Sequence, residues 1–268
     1  HQADRDLGLL EEVDWVGSAT EIATLVPADL HGKIDYIVSS HNFEHLANPI
    51  KFLNGCATVL RPGGILTMAV PDRRGCFDFF RPHTVIGMAV GNAMNLGTTL
   101  AVYASICKET GRPFQFPGSE AQWKGLSDVT DARMLARQLV WAADTDAARN
   151  EAFNIVNGDL FRWSWLWPKL AEWFGVEAAG FSGTVQPLEA AMANDHALWR
   201  EIAQRHGLAE PDLDRLASAW HTDLDLGRPL EVMTDMANSR RLGFSAYQAT
   251  DDSFLDLFQR LRAERLIP

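Results

Sequence analysis

Short β-rich runs alternate along the chain with longer stretches whose apolar residues recur at helical spacing. The first 30 residues or so are acidic and weakly patterned. Ile34-Asp35-Tyr36-Ile37-Val38-Ser39-Ser40 is a β-rich run ending in small polar residues. Residues 49–60 predict a helix with Phe52, Leu53, Cys56, Val59 and Leu60 as its apolar positions, and Arg61-Pro62-Gly63-Gly64 breaks it. Ile65-Leu66-Thr67-Met68-Ala69-Val70 is a near-continuous apolar run, the pattern of a parallel strand covered on both faces. Residues 81–87 predict a strand, and 94–110 a helix that Gly111 ends. Phe114 to Gly118 predicts a strand and turn. The spacing over 130–142 predicts a helix with Met134, Leu135, Leu139 and Val140 inward. Ala152 to Val156 predicts a strand with Asn157-Gly158-Asp159 as its turn. A tryptophan-rich helix is expected from about Ser164 to Phe174, ended by Gly175. From residue 188 the pattern is helical. The last helix starts near Ser253, with Phe254, Leu257, Phe258 and Leu261 at helical spacing. Such alternation predicts an α/β or mixed α/β fold.

Composition narrows the function classes. Of 268 residues, 47% are hydrophobic and 22% charged, as in an ordinary globular protein. A net charge of −11 makes nucleic acid and an anionic membrane surface poor partners. Apolar runs fall far short of the roughly 20 residues that a membrane span needs. Cys56, Cys76 and Cys107 form no CxxC pair and read as buried thiols of a reducing, cytoplasmic compartment. No basic-then-apolar leader follows His1, and a start at His implies further chain upstream.

Few residues carry chemistry on their own. His41-Asn42-Phe43-Glu44-His45 matches H-x-x-E-H, a zinc peptidase spacing. Its position directly after a strand, before a helix interrupted by Pro49, favours polar residues lining a strand-to-helix loop, with no metal. In open parallel sheets ligands bind beyond the carboxyl ends of strands, where Ser39, Ser40, His41 and Glu44 would stand. Trp163, Trp165 and Trp167 read as helix-face packing rather than a stacking platform. Asp128 and Asp131 resemble a carboxylate pair, but a helix-entry cap at Thr130 or Asp131 is the better reading. His196, His206 and His221 read as solvated or capping, and Asp223 and Asp225 as solvated surface.

Two family resemblances follow, each carried by motifs in order. Ile34 to His45, Leu60-Arg61-Pro62-Gly63-Gly64 and Ala69-Val70-Pro71-Asp72-Arg73-Arg74 resemble the second half of a class I S-adenosylmethionine-dependent methyltransferase. Glu11-Glu12-Val13-Asp14-Trp15 and Cys76 to Pro82 fit a subgroup of that family. This resemblance spans about residues 1–82 and implies Ser40 and His41 on the S-adenosylmethionine side. The chain has no GxGxG loop, the cofactor's usual cradle.

From Arg81 a second resemblance begins. Arg81-Pro82-His83-Thr84-Val85-Ile86-Gly87, Asn92 to Leu96, Tyr103 to Lys108 and Phe116-Pro117-Gly118 look like the carboxyl half of an extended short-chain dehydrogenase/reductase. The group is the progesterone 5β-reductase/iridoid synthase-like one. Asp128 to Ala132, Asn150 to Asp159, Trp220 to Asp223 and Ser239 to Phe244 agree with it. The resemblance implies NADP or NAD as cofactor, with Pro82, His83, Thr84 and Val85 beside the nicotinamide. It implies Met94 and Asn95 at the substrate. The family also needs a TGxxGxxG turn and a Tyr with Lys four residues on. Tyr36, Tyr103 and Tyr247 are followed at that spacing by Ser40, Cys107 and Asp251.

The chain therefore reads as two carboxyl halves joined near Phe80-Arg81-Pro82. The domains expected are residues 1–82, a methyltransferase-like partial Rossmann segment, and 83–268, the carboxyl-terminal reductase part. The expected fold is an incomplete doubly wound (Rossmann-like) parallel sheet with a smaller, mainly helical substrate lobe. Implied is an NAD(P)-dependent reductase-like protein for a small carbonyl or enone, impaired by the absent loop and Tyr/Lys. A class I methyltransferase fragment and a non-catalytic fusion remnant are the alternatives. The partners expected are a small-molecule substrate and either a second copy, as a homodimer, or a missing amino-terminal half. The strand at 34–40 is expected to be a sheet edge, paired with another chain or covered by residues 1–30.

Overall fold

The computed structural model describes residues 14–40, 42, 43, 46, 48–70 and 96–268. These fall into two compact units. One takes residues up to 70 together with 139–149, and the other takes 96–138 and 150–268.

In the first unit, strand β1 (Ile34–Ser40) runs parallel to β2 (Leu60–Ala69), with helix α1 (Pro49–Val59) between them in sequence. The ladder aligns Tyr36 with Ile65 and Ser40 with Ala69. The helix stops at Val59, but β2 already starts at Leu60, which aligns with Ile34. The register shift that follows places Arg61-Pro62-Gly63-Gly64 in an irregular part of the strand. Gly63 takes φ +78°, and a Cβ on Gly64 would sit 3.0 Å from the Arg61 carbonyl and 3.1 Å from that of Asp35. Two glycines are thus what lets this stretch lie on β1. Arg61 Nε donates to Asp35 Oδ1 at 2.5 Å across the same place.

Helix α1 opens with Pro49 in its first turn and with Asn48 Oδ1 accepting from Lys51 N at 3.0 Å. It buries Phe52, Gly55, Cys56 and Val59. The turn Ile22–Leu25 packs on this helix so closely that a Cβ on Gly55 would meet Ile22 Cγ2 at 2.6 Å. The described residues before β1 therefore pack on α1. Cover on both faces, expected for 65–70, is not found among the described residues: no residue of β2 is fully buried, and Tyr36 and Val38 of β1 are 63% and 50% exposed. The pair thus behaves as a half-covered ribbon.

The second unit is mainly helical. Helix α2 (Leu96–Thr110) is its axis, with every residue from Thr99 to Cys107 buried. Such a helix is apolar all round because neighbours cover it on all sides. Gly111 ends it at φ +69°. Strand β3 (Phe114–Gln115) pairs in parallel with β4 (Ala178–Ala179). Helix α3 (Glu120–Lys124) follows, its first turn capped by Ser119 Oγ. Helix α4 (Ala132–Asp144) comes next, then α5 (Trp163–Phe174), which Gly175 ends at φ +68°.

The core of this unit is aromatic. Trp167 stacks on Phe114 with ring centroids 4.0 Å apart and planes 4° from parallel, and its Nε1 donates to the Phe114 carbonyl at 2.8 Å. Phe116 meets the same indole edge-on. Trp163 packs edge-on against Phe161 and Phe254. Packing is thus the role of Trp163 and Trp167, while Trp165 lies on the outer face under the Lys169 ammonium.

Two expectations need correction. Val140 is 60% exposed, and Gln138 takes the inward place one turn after Met134. Gln138 is held there by its amide, which donates to the Asn154 carbonyl at 3.0 Å. Residues 152–156 form no strand. Three of the five carbonyls, those of Ala152, Asn154 and Ile155, are instead taken by the side chains of Asn238, Gln138 and Thr130. Among the described residues no helix is long and apolar enough to cross a membrane.

Replacing Trp167 removes a fully buried indole and its hydrogen bond. Trp167→Ala is expected to cost about 3–5 kcal/mol of stability. Trp165→Ala should cost well under 1 kcal/mol. Urea unfolding curves of the two variants measure both, and equal losses would contradict the packing described.

Candidate functional site

Asn157-Gly158-Asp159 does more than turn the chain. Asn157 is fully buried, and its Oδ1 accepts from Asp131 N at 2.6 Å. Its Nδ2 donates to Thr250 Oγ1 and Ser253 Oγ, both at 3.3 Å. Its backbone N–H donates to Val129 O, and its carbonyl accepts from Gln248 N. Gly158 takes φ +103°, open to glycine at little cost. Asp159 then caps the last helix, α6 (Thr250–Ala263), accepting from Thr250 N at 2.8 Å and Thr250 Oγ1 at 2.6 Å.

This node fixes the segment 127–131 at the entry of α4. Asp131 Oδ1 accepts from Arg133 N at 2.8 Å, the helix-entry cap expected for it. The Arg133 guanidinium beside it holds its carboxyl down at about 2. Arg133 also reaches Asp256 on α6. Asp128 goes elsewhere: its Oδ2 accepts from Thr234 N at 2.6 Å. Burial pushes the Asp128 carboxyl up. The two aspartates therefore have separate partners and do not work as a pair.

Thr234 belongs to a strap, residues 228–236, without regular secondary structure. Its backbone is tied down by side chains. Ser119 Oγ donates to Arg228 O at 2.5 Å, and Gln122 Nε2 to Leu230 O at 2.6 Å. Asn154 Nδ2 donates to Asp235 O at 2.9 Å. Before the strap lies a helix, Ala219–Leu226, whose end meets Gly118. A Cβ on Gly118 would stand 2.3 Å from the Leu226 carbonyl, so Phe116-Pro117-Gly118 is read physically as a close backbone approach.

Strap, node and helices enclose a cavity of about 540 Å³. Its apolar wall includes Trp163, Leu226, Phe254 and Leu257, and its polar wall includes Asp128, Asp131, Asn157, Arg228 and Arg260. A second cavity of about 350 Å³ shares Asp128 with it and is walled by Met233 to Ala237 and Arg240. A volume of several hundred Å³ with an apolar wall and a few convergent polar groups suits a small organic ligand.

The residues proposed from sequence are not gathered at this cavity. Ser40 ends β1, exposed, beside Ala69 in the ladder. Ser39 is buried and accepts from Asn42 Nδ2 at 3.3 Å. His41, Glu44, His45, Cys76, Pro82, His83, Thr84, Val85, Met94 and Asn95 lie outside the described residues. Among the described residues no group of three His, Cys, Asp or Glu could hold a metal. Cys56 and Cys107 are free and buried, and burial pushes each thiol up to about 11.

Other assignments resolve individually. His196 meets Asp214 at 3.0 Å, His206 meets Glu109 at 3.1 Å and His221 Nδ1 meets Ser218 Oγ at 2.5 Å. Asp223 is not solvated surface. It accepts from Leu188 N at 2.7 Å and Glu189 N at 2.9 Å, capping helix Leu188–Met192. Burial pushes its carboxyl up. Asp225 pairs with Arg228 three residues on. Arg228 and Arg260 went unseen in the sequence because their neighbours at the cavity come from distant segments.

The described strand-to-helix unit is a poor fit to an adenosyl or dinucleotide cradle. Residues 41–48, between β1 and α1, contain no glycine to let a phosphate or adenosyl group approach the backbone. At the head of α1 the Asn48 side chain already takes the Lys51 N–H.

Comparison with known proteins defines the class. The family described as PRISE-like Rossmann-fold domain matches residues 68–268, three quarters of the chain, and the chain belongs to that family. A second family, described as Methyltransferase domain, matches residues 11–68. The chain is 37% identical over 190 residues to an (S)-8-oxocitronellyl enol synthase of Camptotheca acuminata, covering 70% of this chain and 48% of that one. It is 37% identical, over the same shares, to a 3-oxo-Delta(4,5)-steroid 5-beta-reductase of Arabidopsis thaliana. It is 36% identical over 239 residues to an (S)-8-oxocitronellyl enol synthase of Nepeta cataria, covering 88% of this chain and 60% of that one. The chain thus spans about half the length of the curated relatives it matches. Both resemblances read from the sequence, to this reductase group and to the methyltransferases, are borne out.

The Asp131 carboxyl sits below its unfolded value of 3.8, so its contribution is full above pH 4 and lost as pH falls through about 2. Asp131→Asn keeps a capping oxygen but loses the charge. It is expected to lower stability by about 2 kcal/mol at pH 7. The gap to the parent should narrow steadily below pH 4. Denaturation at a series of pH values measures this, and a gap independent of pH would contradict it.

Proposed function

We propose that residues 83–268 form the carboxyl-terminal, substrate-holding part of an NAD(P)-dependent reductase of the extended short-chain type. The substrate class is a small carbonyl or enone compound. The observation that carries this reading is the 540 Å³ cavity with its apolar wall and convergent polar groups. It lies within the segment that matches the PRISE-like family. The names of the relatives, an enol synthase and a steroid 5-beta-reductase, both describe small carbonyl chemistry and support it. Pro82, His83, Thr84 and Val85 are proposed beside the nicotinamide, with Met94 and Asn95 at the substrate.

The chain as given carries neither a TGxxGxxG turn nor a Tyr with Lys four residues later. Loss of a general acid alone lowers rates by roughly 10²–10⁴-fold. The chain by itself is therefore proposed to hold substrate without turning it over. A cytoplasmic location accords with the free buried thiols.

A second reading is favoured by one feature. The methyltransferase match over 11–68 coincides with the parallel β1–α1–β2 unit. Under it, residues 1–82 derive from a class I methyltransferase, with Ser40 and His41 on the S-adenosylmethionine side, and the whole chain is a fusion product without catalysis of its own.

Purified chain is expected to consume NADPH with cyclohexenone no faster than buffer does. Calorimetric titration is expected to give a dissociation constant for S-adenosylmethionine weaker than about 10 μM, or −6.8 kcal/mol. Steady NADPH oxidation that His83→Ala abolishes would show a complete reductase site instead. Tight S-adenosylmethionine binding would favour the methyltransferase reading.

A further inference from the structure

We propose that Arg228 is the ligand-anchoring residue of the 540 Å³ cavity, and that the ligand is a mainly apolar molecule presenting one oxygen acceptor, a carbonyl or a carboxylate, to its guanidinium. This rests on the reading of the cavity as a substrate site and names the residue that selects the substrate class.

Arg228 lines the cavity and is clamped at both ends. Its carbonyl accepts from Ser119 Oγ, and its terminal Nη2 meets Asp225. Between these anchors its Nε is buried and has no hydrogen-bond partner. Buried donors are nearly always paired, because leaving one unpaired forfeits its hydration with nothing in return. An acceptor brought in by a ligand, met by a small turn of the guanidinium, removes that deficit.

The acids around the cavity decide the sign of the ligand. Asp225 is taken by Arg228, Asp131 by Arg133, and Asp128 by the Thr234 N–H. Each carboxylate already has a donor, whereas one arginine nitrogen lacks an acceptor. The site therefore offers an unmet donor to a ligand acceptor, whereas a ligand ammonium would compete with donors that these carboxylates already hold. The same cavity is lined by Trp163, Phe254 and Leu257, which give a compact hydrocarbon skeleton its burial. Lifting of the Asp128 carboxyl by burial lowers the repulsion that an incoming carboxylate meets.

Three probes with one skeleton separate the possibilities: cyclooctanone, cyclooctanecarboxylate and cyclooctylammonium, titrated by calorimetry into the full chain. The ketone, the carboxylate or both are expected to bind at least about tenfold more tightly than the ammonium. Whichever of the first two binds better tells a neutral carbonyl ligand from an anionic one. Arg228→Met should abolish that preference. The Arg228 Nε–H resonance of the unmutated chain should shift downfield on adding the preferred probe, which keeps the test decisive if the variant fails to fold. Equal binding of all three probes, no binding of any, or an unmoved Nε–H signal would overturn the proposal. None of these measurements uses NADPH, so a failure here is separate from a failure of the reductase reading.

Discussion

The architecture around the cavity depends on one buried amide. Asn157 is inaccessible to water, and all its hydrogen-bonding groups are engaged by segments far apart in sequence. A buried polar network is stable when its members are satisfied and costly when one is removed. Here the members are the entry of α4, reached through Asp131 N, and the first turn of α6, reached through Thr250 and Ser253. Asp159, two residues on, caps the same turn of α6. The loop 127–131 has no ladder or helix of its own. Its position, and that of Asp128 within it, follows from this node and from the bridge between Ser127 and Phe161.

The strap over the cavity is the complement of this node. It has no internal secondary structure, so its backbone groups must be satisfied from outside. Ser119, Gln122, Asp128 and Asn154 supply that from several elements. Each of these four side chains makes a long-range bond of more than 80 residues' separation. A cavity wall of this kind is set by polar side chains and not by the sheet, even though the fold family is named for its sheet. Burial raises the Asp128 carboxyl while the Thr234 N–H works against that rise, and Asp128 lines both cavities.

What the sequence showed follows the same division. Local signals were legible: Gly111 and Gly175 ending helices, Asp131 as a cap, and the turn at Gly158, whereas Pro49, read as an interruption, opens α1. Both family resemblances were legible as well, because each is a string of motifs in order. Long-range polar ties were not. Gln138 displaced Val140 from the inward face because a buried amide found a carbonyl 16 residues away. Asp223 looked like a surface charge because the helix that it caps begins 35 residues earlier. Residues 152–156 have the composition of a strand, but side chains took three of their five carbonyls. No periodicity marks Arg228, whose significance comes from an atom left unpaired in the folded chain.

The joining of two families in one chain also has a physical basis. Their matches meet at Met68, which lies inside β2 and aligns with Ser39 of β1. The strand therefore begins in the methyltransferase-like part and ends in the PRISE-like part, while its ladder continues through Ser40 and Ala69. A parallel ladder is built from backbone groups and asks little of side-chain identity beyond apolar bulk on the covered face. The first half supplies that face through Phe52, Cys56 and Val59 of α1. What such a ladder does not supply is specific chemistry. A strand can be completed by any chain with the right alternation. A phosphate cradle needs glycines at fixed places, and a reductase acid needs its Tyr and Lys at fixed spacing. The β-α-β unit is intact here, and those motifs are the ones the sequence lacks.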